Sequence, residues 1–167
     1  MFKKGDLLMY GSIGVCEVTG IETPDFEKSG KLYYCLRPRY QSGMIYAPID
    51  NEKVFIRPVL SSAEVNSLID AIPEIETTIY KCSSIQQLSK MYQSILDSHD
   101  TESMLAMTKS IHAKEKNAIK NNRKLGHIDK KFLKRAQDIV YGEFAAVLGL
   151  ERDDIENYIR TRLTKAR

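Results

Sequence analysis

The spacing of hydrophobic positions changes near residue 60. Up to that point, apolar, β-branched and aromatic residues come in short runs: 7–10 (LLMY), 13–21 (IGVCEVTGI), 32–37 (LYYCLR), 44–48 (MIYAP) and 53–57 (KVFIR). Gly5-Asp6, Gly11-Ser12, Ser29-Gly30 and Ser42-Gly43 separate them. Short strands with such punctuation predict a small antiparallel barrel or roll. Val15 and Val18 are out of phase for strict alternation, which predicts a bulge within Val15 to Thr19. Glu22 to Lys31 is polar, holds Pro24 and Gly30, and reads as an exposed hairpin loop. A module of about sixty residues is marginal for independent stability, so it is expected to lean on the rest of the chain.

Beyond Arg57-Pro58 the period becomes helical. Ser61-Ser62-Ala63-Glu64 has the hydroxyl and carboxylate of a capping box. Val65, Leu68, Ile69 and Ile72 come next at helical spacing, and Pro73 is expected to end that helix. A second helix is predicted from about Ser84, with Ile85, Leu88, Met91, Tyr92, Ile95 and Leu96 as its stripe. Ser98-His99-Asp100 breaks it, and Asp100 or Thr101 caps a third that runs toward Lys124. Leu125-Gly126-His127 reads as a turn, with Gly126 in the left-handed position after a helix. Asp129 is expected to cap a fourth helix, whose apolar stripe runs from Phe132 to Leu148, and Gly149 to stop it. A last helix starts around Arg152-Asp153-Asp154, where acids suit the positive end of the helix dipole. The expected class is α+β: an antiparallel β-barrel or roll at 1–60, then a compact all-helical domain at 61–167.

Composition narrows the function. The 167 residues are 43% hydrophobic and 28% charged, enough for one domain or two small ones. No apolar run approaches the roughly 20 residues needed to span a bilayer. The N-terminus has neither a long apolar region nor a small-residue cleavage site, so no signal peptide and no membrane association are expected. Cys16, Cys35 and Cys82 are odd in number, widely spaced and outside any CxxC. Reduced thiols in a cytosolic protein are the simplest reading, and no metal or other cofactor is expected. His99, His112 and His127 are scattered, and HExxH, GxxxxGK[ST] and GxGxxG are absent. Cys16 and Cys35 alternate within apolar runs, as buried thiols do, and no catalytic residues stand out. An enzyme is not expected.

Charge points elsewhere. Lys109 to Arg135 holds ten Lys/Arg against Glu115 and Asp129, although the whole chain carries only +3. Lys109, Lys116, Lys120, Arg123 and Lys124 precede the Gly126 turn, while Lys130, Lys131, Lys134 and Arg135 come after it. A helical hairpin would bring both groups to one end, where phosphates bind without base reading. A solvated helix face, RNA or an acidic protein fits the same charges.

Several segments carry a resemblance that covers essentially the whole chain. Phe2-Lys3-Lys4-Gly5-Asp6-Leu7-Leu8-Met9-Tyr10-Gly11 and Gly14-Val15-Cys16-Glu17-Val18 form the opening pattern. Tyr33-Tyr34 to Pro38, Met44 to Asn51 and Ile56-Arg57-Pro58-Val59 continue it. The most specific run is Phe132-Leu133-Lys134-Arg135-Ala136-Gln137-Asp138-Ile139-Val140-Tyr141-Gly142-Glu143-Phe144-Ala145. Together they resemble the CarD/CdnL family of bacterial RNA polymerase-binding regulators. The N-terminal part looks like the polymerase-interacting domain shared with transcription-repair coupling factor.

The resemblance implies a Tudor-like β-domain that docks on the polymerase β subunit and a helical domain that touches promoter DNA. Docking would fall on the exposed edge at Gly43, Met44, Ile45 and Tyr46, with the Pro24 loop alongside. Core packing is the other reading of Met44 and Tyr46. In several members a tryptophan near the start of the helical domain wedges into the minor groove. This chain has no tryptophan. Tyr80 or Ile85 would take its place, and ordinary packing is the alternative for Tyr80. Lys81, Lys90, Lys120, Arg123, Lys124, Lys130, Lys131 and Lys134 would supply phosphate contacts independent of sequence. The expectation is a cytoplasmic, nucleoid-associated bacterial protein, acting as a monomer, that stabilises the open promoter complex. The alternative is a polymerase-binding adaptor between proteins that makes no DNA contact.

Overall fold

A computed structural model describes residues 1–80 and 82–165. The chain divides into two compact units, Met1–Leu60 and Ser61–Arg167. It is an α+β protein, with a Tudor-like antiparallel sheet first and helices after.

The first unit holds β1 (Leu7–Tyr10), β2 (Gly14–Glu22), β3 (Tyr33–Pro38), β4 (Ile45–Pro48) and β5 (Ile56–Pro58). They form one antiparallel sheet in the order β4-β3-β2-β1-β5, so β4 and β5 are its edges. Leu8, Cys16, Val18, Tyr34, Leu36 and Ala47 make the core of one face, with Phe2, Tyr10, Ile13, Ile45, Ile49 and Ile56 packed around it. The β2–β3 register skips between Val18 and Gly20, so the expected bulge sits at Thr19. The Thr19 hydroxyl donates to the Cys35 carbonyl at 3.1 Å and anchors the bulge to β3. The last strand is shorter than predicted. The Asn51 side chain accepts from the amides of Lys53 and Val54 and donates to the Val54 carbonyl at 2.7 Å. This local turn occupies backbone groups that a strand from residue 53 would need.

The second unit holds α1 (Ser62–Asp70), α2 (Ile85–Asp97), α3 (Thr101–Lys120), α4 (His127–Leu148) and α5 (Ile155–Lys165). The capping box forms: Ser61 Oγ accepts from the Glu64 amide, and the Glu64 carboxylate accepts from the Ser61 amide. Ser84 and Asp100 cap α2 and α3. Gly149, at φ 70°, stops α4. The 22-residue α4 is the hub and packs against α1, α2, α3 and α5 through Phe132, Ala136, Val140, Phe144 and Ala145.

Four local expectations are corrected. First, α1 ends at Asp70, and Pro73 sits inside a separate 3₁₀ turn, Ile72–Glu74, rather than terminating the helix. Second, α3 stops at Lys120, short of Lys124, in a Schellman motif. Asn122 takes the left-handed position at φ 57°, while the amides of Arg123 and Asn122 bond the carbonyls of Ala118 and Ile119. Gly126 is extended at φ −65° and is the N-cap of α4. Third, Asp129 lies within the first turn of α4, one of its buried residues, and does not cap it. Fourth, Arg152–Asp154 is a 3₁₀ turn that leads into α5.

Asp129 has a larger role than a cap. It is 3% exposed and accepts the Tyr92 hydroxyl of α2 at 2.5 Å. Lys114 of α3 approaches its other oxygen at 2.9 Å. One carboxylate therefore joins three helices. Burial, and then the hydrogen bond to Asp129, pushes the Tyr92 hydroxyl well above its ordinary pKa, so it stays a donor. Tyr92→Phe should cost about 1–3 kcal/mol, because a buried charged acceptor loses one of its donors. In an Asp129→Ala background the same change should cost less, with a coupling of about 0.5–3 kcal/mol. Urea unfolding followed by far-UV circular dichroism measures both; additive effects would show that the pair does not act as a unit.

Candidate functional site

Of the two edges of the β-unit's sheet, β4 has an unusual side chain beside it. β4 pairs only with β3, matching Ile45 to Leu36 and Tyr46 to Cys35. Alternation splits its residues. Ile45 packs against the core and offers only its backbone at the edge, whereas Met44 and Tyr46 are exposed. Gly43 precedes them at φ 108°, a conformation that favours glycine. Pro24 was expected at the surface but is buried; its carbonyl accepts from the Glu27 amide at 2.9 Å. Pro24 therefore packs beneath the β2–β3 loop rather than on its exposed surface.

The most exposed large apolar residue of that loop is Phe26, at 62%. Its ring meets Tyr33 and Tyr46 edge-to-face, each at 5.7 Å between centroids. Glu27 braces the loop behind it. One carboxylate oxygen accepts from the Ser29 hydroxyl at 2.6 Å and the Ser29 amide at 2.8 Å; the other accepts from Tyr33 at 2.9 Å. These bonds, the Ser29 hydroxyl first, hold its pKa down to about 2. Sequence reasoning passed over Phe26, although a lone phenylalanine in a polar loop was a visible signal.

Residues 2–60 match the CarD-like/TRCF RID domain. The β-unit is a RID domain. Domains of this kind interact with RNA polymerase and belong to a non-enzymatic family concerned with transcription regulation. The match ends where the helical unit begins. Comparison of the chain with curated proteins gave no match. Among the described residues no cluster of His, Cys, Asp or Glu is arranged to hold a metal, and no helix is long and apolar enough to cross a membrane.

Apart from the RID domain, the helical unit carries the cationic candidates. α3 and α4 run back along each other, with Lys114 on Asp129 and His112 Nε2 at 3.0 Å from Gln137. This hairpin gathers Lys116, Lys120, Arg123, Lys124, Lys130 and Lys131 near its turn, all exposed. Lys131 and Arg135 lie over the Phe132 ring at 5.6 and 5.5 Å. Lys134 is exposed and pairs with Asp138 one turn on, an interaction that a phosphate displaces easily. Two cations of the run are structural. Lys114 neutralises Asp129, and Lys109 donates to the carbonyls of Ile72, Pro73 and Ile75 at 2.8, 3.1 and 2.6 Å. Lys109 thereby ties the segment after α1 onto α3, helped by the Thr78 amide donating to Ser110 Oγ at 2.9 Å.

That pinned segment leads to the wedge candidates. Tyr80 is half-buried, and its ring stands edge-on to Tyr92 at 5.6 Å; burial raises its hydroxyl pKa. Tyr92 in turn contacts Phe132 at 5.4 Å. Tyr80 thus closes an aromatic column that ends under Lys131 and Arg135. The exposed apolar side chains are its neighbours: Ile79 at 84% and Ile85, at the start of α2, at 69%. Lys90 is exposed on α2. Lys81 lies outside the described residues.

Proposed function

We propose that the chain is a non-enzymatic transcription regulator. It docks on the polymerase β subunit through the β4 edge of the RID domain and holds upstream-fork promoter DNA with its helical unit. The observation that carries this reading is the RID match coinciding with a free sheet edge. Unpaired backbone groups on β4 suit strand addition by a partner, with Met44 and Tyr46 on the exposed face as side-chain contacts. For DNA, the support is the cluster of exposed cations at the α3–α4 turn, which suits phosphate binding without base reading.

Between the two wedge candidates, exposure favours Ile85. Tyr80 is committed to Tyr92, whereas an exposed isoleucine on the first turn of a helix can enter an unstacked base step. The mechanism is differential binding: a protein that prefers melted DNA shifts the closed-to-open equilibrium toward it. It acts on this reading as a cytoplasmic, nucleoid-associated monomer, with no cofactor.

Three measurements test the parts. Met44→Glu with Tyr46→Ala should abolish capture of polymerase by the full chain while leaving helicity unchanged. Unaltered capture would remove the β4 edge from the reading. Glutamate at Lys120, Arg123, Lys124 and Lys130 should weaken binding to any promoter sequence. It should also flatten the slope of log affinity against log salt by about one unit for each phosphate no longer neutralised. If parent and variant share both affinity and slope, this face is only solvated surface, and the adaptor without DNA contact becomes the better account.

The wedge is tested by open-complex decay after competitor addition. Ile85→Ala should speed decay and shift stability by no more than about 0.5 kcal/mol, as surface changes do. Ile85→Trp should slow decay, since base–aromatic stacking is worth about 1–3 kcal/mol. Tyr80→Ala should instead lower the melting temperature by removing a ring from the aromatic column. Decay that ignores both Ile85 variants would leave the helical unit with phosphate contacts alone.

A further inference from the structure

Phe26 is a large apolar ring left in water on a largely polar loop. Such a residue, held rigid, is how interfaces concentrate binding energy: an aromatic anchor whose freedom is already spent when the partner arrives. The loop has that rigidity. Glu27 accepts three hydrogen bonds from Ser29 and Tyr33, and Lys31 pairs with Asp50 at 3.2 Å. The Phe26 ring rests on Tyr33 and on Tyr46 of the edge strand, so it continues the exposed surface of β4 rather than standing apart. Leu32 and Met44 are exposed on the same unit. Asp25 and Glu27 flank the ring, so acids border the apolar tip.

We propose that Phe26 is the anchor of docking: it inserts into an apolar pocket on polymerase, beside the strand that joins β4, with a basic side chain at the pocket's rim facing the exposed Asp25. This rests on the reading that β4 is the docking edge and adds to it the residue that fixes affinity and the chemistry of the surface it meets. Edge-strand pairing supplies main-chain hydrogen bonds that almost any extended segment can make. Specificity for one segment requires a side chain that fits one pocket, and Phe26 is placed to supply it.

The full chain carries no tryptophan, so Phe26→Trp made with 5-fluorotryptophan places a single fluorine label at the tip of the loop. The probe is purified bacterial core RNA polymerase. Phe26→Ala should weaken binding at least tenfold with no change in melting temperature, because the ring is mostly exposed. Phe26→Trp should bind within a few-fold of the parent. Its fluorine resonance should show a solvent-isotope shift between H2O and D2O when free and lose it when polymerase is added. Asp25→Asn, at the exposed acid beside the ring, should bind more weakly than the parent at low salt and match it at high salt.

Normal binding by Phe26→Ala, a fluorine still open to solvent in the complex, or an Asp25→Asn variant equal to the parent at every salt concentration would overturn the proposal. So would a fluorine shielded before polymerase is added in a chain that sediments as a dimer, since a second copy would then cover the ring. Failure of the inference is distinct from failure of the docking reading. If Met44→Glu with Tyr46→Ala abolishes binding and Phe26→Ala does not, the edge stands and the anchor falls. If the parent itself does not bind, both fall.

Discussion

Burying a carboxylate inside a helical bundle is unfavourable unless donors surround it, and Asp129 sets the helical unit's terms for that reason. Its two oxygens take the Tyr92 hydroxyl from α2 and the Lys114 ammonium from α3, while its own backbone belongs to the first turn of α4. Three helices are registered at one point, and α4 then carries that register into its contacts with α1 and α5. Removing one partner would strand the charge, which is why such a group specifies geometry more sharply than an apolar contact does. Gly126 belongs to the same arrangement. A Cβ there would lie 3.3 Å from Asp129 Oδ2, so glycine serves close approach to the carboxylate rather than a left-handed turn.

This constraint divides the basic stretch. Lys114 is held by Asp129, and Lys109 is held by three carbonyls at the end of the 3₁₀ turn after α1. Both spend their charge inside the unit. The cations nearer the hairpin turn remain exposed, and the aromatic column Tyr80–Tyr92–Phe132 links them to the segment that displays Ile79 and Ile85. A polyanion meeting this unit would find its charge contacts and its exposed apolar side chains built on one rigid core. The sum of charges in the sequence overstates that surface, because sequence does not say which lysines have partners.

Much of the architecture was legible because local chemistry and tertiary structure agree. Turn glycines separated the strands, Thr19 absorbed the phase slip of β2, and Ser61 with Glu64 announced α1. One misreading occurs where a side chain has a distant partner. Asp129 has the composition of a cap, but a tyrosine far away in sequence claims it. Asn122 could take the left-handed position because its short polar side chain tolerates it, which left Gly126 free for other use. At the candidate sites, the exposed faces of β4 and the basic hairpin were readable from alternation and charge. Pro24 and Tyr80 were not, since burial depends on what lies beneath a loop or beside a ring. Phe26 and Ile79 were overlooked for the converse reason: single apolar residues in irregular segments belong to no periodic pattern.

On the proposed function, a chain without tryptophan faces a physical consequence at the wedge. Isoleucine offers no extended π-face, so Ile85 would gain less from an exposed base than an indole does. The deficit need not weaken the protein's hold on a promoter. Docking through the RID domain makes the second contact effectively intramolecular, and only residues 59–61 separate β5 from α1. A tethered unit acts at a high local concentration, where weak, sequence-independent phosphate contacts suffice. Affinity would then reside in the β4 edge and Phe26, while the helical unit would supply preference for the melted state. A regulator built this way owes its occupancy to polymerase and its direction to the small difference between duplex and fork, so strengthening the wedge should change open-complex lifetime more than recruitment.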